Sequence, residues 1–340
     1  RSGELLCEIH PWADMVRFAR TGGESMAIAV RIARADKGRE RVAFCGYHGW
    51  HDWYLSANLG GADVLGEHLL EGLSPEGVPR GLQGTAFPFH YNRLDELAEI
   101  VKAHGRDLAA IVMEPIRSEQ PAEGFLEGVR CLAEETGAVL IVDEVSSAFR
   151  MNSAGAHMAL GLDPDMAVFS KALGNGYAIG AVIGKESVMQ SAQNTFISST
   201  NWTERIGPTA ALATVNKHRE KQVWKHLSAI GEAVQKGWKD SAAKHCLDIH
   251  VGGIPALSHF SFKYQNSAAV KALFVQLMLE KHFLASNLFY AMYAHTNSHV
   301  ESYLLAVDEC FCEIAESLAT ERVEEKLGGE PASSGFARLA

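Results

Sequence analysis

Short apolar runs alternate with amphipathic stretches through the first two-thirds of the chain. Met15–Ala19, Arg41–Cys45, residues 109–113, residues 138–142, Met166–Phe169 and residues 178–183 read as strands. Residues 24–35, 94–103 and 128–136 carry helical periodicity between them. The strands are rich in Val, Ile and Ala without polar alternation, the pattern of a sheet covered on both faces. Such β/α alternation predicts an α/β domain with a mostly parallel sheet and helices on both faces. Residues 58–89 are rich in Gly and Pro and read as a long surface excursion, a kind of loop that often carries function. After about residue 205 the texture changes. Residues 207–241 read as one long helix with polar faces, residues 258–264 as a strand, and residues 268–281 and 299–317 as helices. This predicts a large domain over residues 1–220 and a smaller C-terminal α+β domain over 221–340, joined by a linking helix. Residues 318–334, dense in charge and glycine, read as a solvated end.

A length of 340 residues is enough for about two domains at roughly 100–200 residues each. Apolar residues make up 47% and charged residues 21%, the balance of a globular chain rather than a disordered one. A net charge of −10, from 31 basic and 41 acidic residues, leaves no electrostatic footprint for nucleic acid or an anionic membrane. The longest apolar runs, 109–113 and 138–142, are far too short to span a bilayer. Arg-Ser-Gly-Glu at the start does not resemble a secretory signal. The six cysteines (Cys7, Cys45, Cys131, Cys246, Cys310 and Cys312) are scattered, which predicts reduced thiols and a cytoplasmic protein. Cys310 and Cys312 fall two apart in a helical pattern and point away from each other, so they suit no metal.

Four motifs carry chemistry. Asp143-Glu144-Val145 directly follows an apolar strand, and ligands of open α/β sheets bind outside the carboxyl ends of strands. Ser170-Lys171 follows another strand and leads into the turn Gly174-Asn175-Gly176. Either motif alone also fits a turn aspartate or a surface lysine. Together they suit pyridoxal phosphate, whose aldehyde takes a lysine as Schiff base and whose pyridine nitrogen faces an acid. The lysine must lose its proton to attack an aldehyde, which burial and nearby positive charge favour. Thr21-Gly22-Gly23-Glu24, between a strand and a helix, exposes backbone N–H groups to an anion such as phosphate, although a plain tight turn reads the same way. Tyr47-His48-Gly49-Trp50-His51-Asp52 puts an aromatic ring at a strand end, where it can stack on a flat cofactor. A metal site from His48, His51 and Asp52 is the alternative there, without a further ligand cluster to support it. The glycines of residues 174–180 do not keep dinucleotide-binding spacing.

These motifs, with Glu114-Pro115-Ile116, resemble the class III (ω-type) aminotransferases of PLP fold type I, most of all the glutamate-1-semialdehyde aminotransferase-like branch. The resemblance runs from about Leu6 to the Gly335-Phe336-Ala337-Arg338-Leu339 end. It implies that Lys171 holds pyridoxal 5′-phosphate as an internal aldimine and shuttles a proton during a ping-pong cycle. Asp143 would pair with the pyridinium, Val145 and Tyr47 would cover the two ring faces, and Thr21, Gly22 and Gly23 would bind the phosphate. Glu119 falls where the family has a residue near the O3′ oxygen. Thr203, five residues before Pro208, falls where the family has a threonine reaching the phosphate of a neighbouring subunit, which implies a homodimer.

Two features depart from the family pattern. The N-terminal arm that precedes the first strand is expected to be missing, since the chain begins almost at the helix before Met15. Leu288-Phe289-Tyr290-Ala291 has tyrosine where the aminomutase has glutamate, and residues 201–205 (Asn201-Trp202-Thr203-Glu204-Arg205) replace its shorter glycine-rich version. Both favour a transaminase acting on small amine and carbonyl substrates over the 2,1-aminomutase. A PLP-fold protein without turnover is the reading from another class. Arg150 and Arg205 are candidate partners for a substrate carboxylate, and equally for structural ion pairs.

Overall fold

The computed structural model describes residues 1–61, 64–66, 68 and 72–329. The chain forms two compact units. Arg1–Ile116 and Pro121–Gln222 make the first; Arg117–Gln120 joins the chain from Val223 onward in the second.

The first unit is built on a seven-stranded sheet in the order β1-β7-β6-β5-β4-β2-β3. Its strands are β1 (Met15–Ala19), β2 (Arg41–Cys45), β3 (Ala86–Pro88), β4 (Leu108–Met113), β5 (Val139–Asp143), β6 (Met166–Phe169) and β7 (Gly180–Gly184). From β3 to β6 every neighbouring pair is parallel, while β7 is antiparallel to both β6 and β1. The mostly parallel α/β sheet therefore holds. All six residues of β4 and all five of β5 are buried, as expected of strands covered on both faces. Helices α1 (Ser2–Ile9), α2 (Gly22–Lys37), α3 (Leu94–His104), α4 (Phe125–Thr136) and α5 (Ile206–Glu220) pack around it. Apolar side chains divide into one core containing Ile111, Leu140 and Phe169 and another containing Ile32, Val112 and Ile141. Alternate residues of β4 and β5 thus serve opposite faces.

Several expected boundaries move. The last strand of the sheet starts at Gly180 rather than 178 because side chains take the preceding carbonyls. Arg20 donates to Ala178 O at 3.0 Å, and Ser170 Oγ donates to Ile179 O at 3.0 Å. The glycine-rich excursion is not featureless. Asn58 bridges it, donating to Leu73 O at 2.6 Å and accepting from Leu65 N at 2.9 Å, and β3 adds an edge strand. The single long helix expected over 207–241 is two helices. Gln222 takes a φ of 47° between them, a left-handed conformation that ends α5.

In the second unit, α6 (Val223–Lys244), α7 (Ser267–Glu280) and α8 (Asn297–Ala319) pack with a three-stranded antiparallel sheet in the order β10-β9-β8. The strands are β8 (Ile249–Gly252), β9 (Leu257–Phe262) and β10 (Leu288–Tyr290). Trp238, Phe260, Phe274 and Phe311 meet edge-on or tilted in its core. The outer strands β8 and β10 are too short and too exposed to leave a sequence signature. The expected solvated end is also revised: Val323 is 1% exposed, and Arg322 N donates to Ser317 O at 2.9 Å, so a short helix docks there. Residues 330–334 of that stretch, and the Gly335–Leu339 motif at positions 335–339, lie outside the described residues.

Candidate active site

Asp143 ends β5, and its side chain is 4% exposed. Its Oδ1 accepts the Val145 N–H at 2.9 Å, which folds residues 143–146 into a tight turn. Its Oδ2 lies 2.8 Å from His48 Nδ1. The other ring nitrogen, His48 Nε2, lies 2.9 Å from Cys45 O. A backbone carbonyl can only accept, so Nε2 carries a proton and the Nδ1–Oδ2 bond holds another between the imidazole and the carboxyl. His48 is itself buried against Phe44, Trp53 and Tyr54. Asp143 is thereby locked from two sides.

Lys171 follows β6, the parallel neighbour of β5. Its φ of 35° is unusual for a residue with a side chain and pins the start of the lysine stem. At the other end of that stem, Nζ donates to Ser146 Oγ at 2.7 Å. Asp143 and Lys171 therefore meet at one four-residue turn. As a residue Lys171 is exposed, although its Nζ contact with Ser146 is partly buried.

The glycine turn closes the third side. Thr21 caps α2, its Oγ1 accepting from Glu24 N at 3.3 Å, and the helix opens with Gly22 and Gly23. Their N–H groups lie in the first turn, where an α-helix supplies no internal acceptor. A Cβ on Gly22 would stand 2.9 Å from Val145 Cγ1, and one on Gly23 would stand 3.1 Å from His51 Cδ2. Gly49, at φ +100°, brings its backbone so close that a Cβ there would stand 2.8 Å from Gly23 Cα. The turns after β1, β2 and β5 thus converge on bare backbone. An amine, a locked acid and amide donors at a helix N-terminus form a donor set that fits the aldehyde, ring nitrogen and phosphate of pyridoxal phosphate.

The remaining sequence candidates are distributed less evenly. Tyr47 is half-buried with its ring edge-on to Tyr54 at 5.6 Å. Thr203 closes the short turn Thr200–Thr203, and its side chain lies outside the described residues. That turn is tied to the phosphate side. Arg20 donates to Asn201 O and pairs with Glu204 at 2.7 Å, while Trp202 Nε1 donates to Glu24 at 3.3 Å. Glu119 is exposed in the segment Arg117–Gln120, which groups with the second unit. Arg150 reaches the same turn as Lys171, its Nε donating to Ser146 O at 3.4 Å; Arg205 is exposed at the start of α5. His48 is engaged by Asp143 and Cys45, and His51 stacks on Trp50 at 4.7 Å. Among the described residues no group of three or more His, Cys, Asp or Glu is arranged to hold a metal ion. Tyr290 lines a cavity of about 520 Å³ inside the second unit with Phe289, His295 and Tyr303.

Sequence reasoning missed the partners rather than the motifs. Asp143 and Val145 are marked in the sequence, but Ser146 is not, and His48 reads there as a candidate metal ligand. The sequence also leaves unmarked a buried network beginning at Glu144. Glu144 Oε1 accepts from both the backbone N–H and Nδ1 of His157 at 2.7 Å, and Ser147 Oγ donates to Oε2 at 2.5 Å. Trp12 Nε1 donates to His157 Nε2 at 2.9 Å. Burial pushes the Glu144 carboxyl up, but His157 and Ser147 outweigh it and hold it below the usual range.

A sheet with this topology, carrying a lysine and an acid at neighbouring strand ends and a glycine turn that converges on them, is the framework of a pyridoxal phosphate enzyme. The chain belongs to the class-III aminotransferases, whose family model matches residues 1–281, and it is a pyridoxal-phosphate-dependent transaminase. It is 31% identical over 325 residues to the 3-aminobutyryl-CoA aminotransferase of Cloacimonas acidaminovorans (strain Evry), covering 92% of this chain and 74% of the relative. It is 30% identical over 301 residues to the 2′-deamino-2′-hydroxyneamine transaminase of Streptomyces kanamyceticus, covering 88% and 72%. Among solved structures, the PLP internal aldimine form of the Sphingopyxis sp. MTA144 FumI protein superposes with a TM-score of 0.83 at 24% identity, over 94% of this chain and 75% of that one. Among the described residues no helix is long and apolar enough to cross a membrane.

Proposed function

We propose that this enzyme moves an amino group from a donor amine to a carbonyl acceptor in two half-reactions at one site. The first carbonyl product leaves before the acceptor enters. The observation that carries the reading is the turn 143–146, which Asp143 belongs to and Lys171 Nζ reaches at 2.7 Å, beside the bare glycines of α2. When bound, pyridoxal phosphate supplies an electrophilic aldehyde and an electron-accepting ring. Lys171 Nζ is the amine that anchors the aldehyde carbon and, once displaced, carries a proton to and from the substrate carbon. The Asp143 carboxylate accepts from the ring nitrogen and keeps it protonated, with His48 holding the acid in orientation. Val145 and Tyr47 would cover the two ring faces, and Thr21, Gly22 and Gly23 would take the phosphate. Glu119 is assigned to the neighbourhood of the O3′ oxygen and Thr203 to the phosphate of a second subunit.

The homodimer this requires is supported by Trp50, Tyr177, Phe196 and Ile206, large apolar side chains of the first unit that are well exposed. A cytoplasmic setting agrees with six free cysteines. Tyr290, in place of the glutamate of the aminomutase branch, favours transfer between two molecules over migration within one. Glutamate-1-semialdehyde offered alone is therefore expected to yield no 5-aminolevulinate.

The deciding experiment is a half-reaction screen. The PLP-loaded protein is mixed with 3-aminobutyryl-CoA, amino sugars of the neamine type and simple amines, and conversion to the pyridoxamine form is followed by absorbance. Wild type is yellow and is bleached by its donor; Lys171→Ala lacks the visible band. A wild-type protein that stays colourless with added PLP would sink this reading in favour of a protein without turnover.

A further inference from the structure

The Ser146 side chain touches the lysine amine at 2.7 Å, and no role has been given to it so far. It is only 7% exposed, so its hydroxyl is held in place by its surroundings rather than by solvent. Its own carbonyl accepts from Arg150 Nε at 3.4 Å, and the Asp143–Val145 bond fixes the backbone just before it. Lys171, by contrast, is exposed and has four rotatable bonds between Cα and Nζ. Its backbone is pinned at φ 35°, but that fixes only the near end. A long flexible stem needs a second point of attachment before its tip has a defined direction.

We propose that Ser146 is the positioning residue of Lys171. Its hydroxyl holds Nζ beside the Asp143 turn, so that the amine meets an incoming aldehyde from one direction, and it receives Nζ again when substrate displaces it. A serine hydroxyl suits both tasks, because it accepts from an ammonium and donates to a neutral amine. The inference rests on the reading of Lys171 as the cofactor's anchor.

Two measurements test it. In the first, apo-protein is mixed with PLP in a stopped-flow instrument and the growth of the visible band is timed. Ser146→Ala is expected to capture PLP about tenfold more slowly than wild type, equivalent to roughly 1.4 kcal/mol and within the worth of one hydrogen bond. Ser146→Thr, which keeps the hydroxyl, recovers to within about threefold of wild type. In the second, the cofactor-free protein is reductively methylated across a pH series and modification of Lys171 is read by mass spectrometry. The hydroxyl bonds the charged ammonium more strongly than the neutral amine, so its loss lowers the midpoint for Lys171 in Ser146→Ala, and Ser146→Thr restores it. Equal capture rates in wild type and Ser146→Ala overturn the proposal, as does a Ser146→Thr as slow as Ser146→Ala or a methylation midpoint that does not move. A wild type that takes up no PLP overturns the reading of the site instead, while the methylation series still judges the Ser146–Lys171 contact on its own.

Discussion

His10 offers a quantitative test of the framework behind the site. It lies at the end of α1, is fully buried, and is satisfied only as a neutral ring. Its Nδ1–H donates to Leu6 O at 2.9 Å, and its Nε2 accepts from Gly155 N at 2.9 Å. A second proton on Nε2 would face that N–H donor. His157 stacks on it at 5.7 Å, and Phe169 packs at 4.9 Å. Burial pushes the His10 pKa from 6.5 down to about 4, against the opposing pull of the Leu6 carbonyl. The unfolded chain therefore takes up this proton near pH 6.5, but the folded chain does so only near 4. The stability His10 contributes is complete above pH 6.5 and is lost as the pH falls from there toward about 4. At about 1.36 kcal/mol per pKa unit the loss totals about 3 kcal/mol. His10→Gln removes the titration while retaining an N–H donor and an oxygen acceptor, at a cost of about 1–2 kcal/mol near neutrality. Urea unfolding followed by circular dichroism at about pH 7 and about pH 4.5 should show the variant less stable than wild type at the first and equal or more stable at the second. His218, whose pKa burial also lowers and whose charge does not act on His10, is common to both proteins and drops out of the difference. Two stability curves that run parallel across the range would refute the reasoning.

Two further substitutions test the site directly. Asp143→Asn preserves shape but removes the charge that keeps the ring nitrogen protonated; the protein should still bind PLP, while the rate of its amine half-reaction falls by about 10²–10³-fold, and near-wild-type rates would exclude the role given to Asp143. Gly22→Ala puts a methyl group 2.9 Å from Val145 Cγ1, so the phosphate turn or the ring-facing valine must shift. The Kd for PLP, measured by fluorescence titration, should rise by about tenfold or more, the equivalent of roughly 1.4 kcal/mol and within the cost of overpacking.

How much of this could be read from residues alone depends on the distance over which each feature is encoded. Strands buried on both faces announce themselves locally, and Arg41–Cys45 and Met166–Phe169 lie where their apolar runs ended; the half-buried edge strand Met15–Ala19 also keeps its expected bounds. The strand-end motifs were legible for the same reason: Asp143 and Lys171 are marked by the apolar runs that precede them. The direction of β7 was not, since nothing in Gly-Ala-Val-Ile-Gly says whether it runs with or against β6. The break at Gln222 was also invisible, because one left-handed residue leaves helical periodicity intact on either side.

The same rule explains which site residues were misread. His48 was considered with its sequence neighbours His51 and Asp52, but its partner Asp143 lies 95 positions away. Ser146 is separated from Lys171 by 25 positions, and a serine after Asp-Glu-Val carries no mark until the lysine arrives. Glu144 reads as the second half of an acidic pair, although the two carboxylates face different partners: Asp143 turns to His48, and Glu144 turns to His157, itself held by Trp12. Adjacent residues at a strand end point to opposite faces, so one can serve the site while the other anchors the structure beneath it. That division explains why an acid is tolerated at each position. The charge of Asp143 is answered by His48 and, in the proposed reaction, by the cofactor ring. Glu144 instead completes a buried network that leaves His157 one proton to donate and one lone pair to accept.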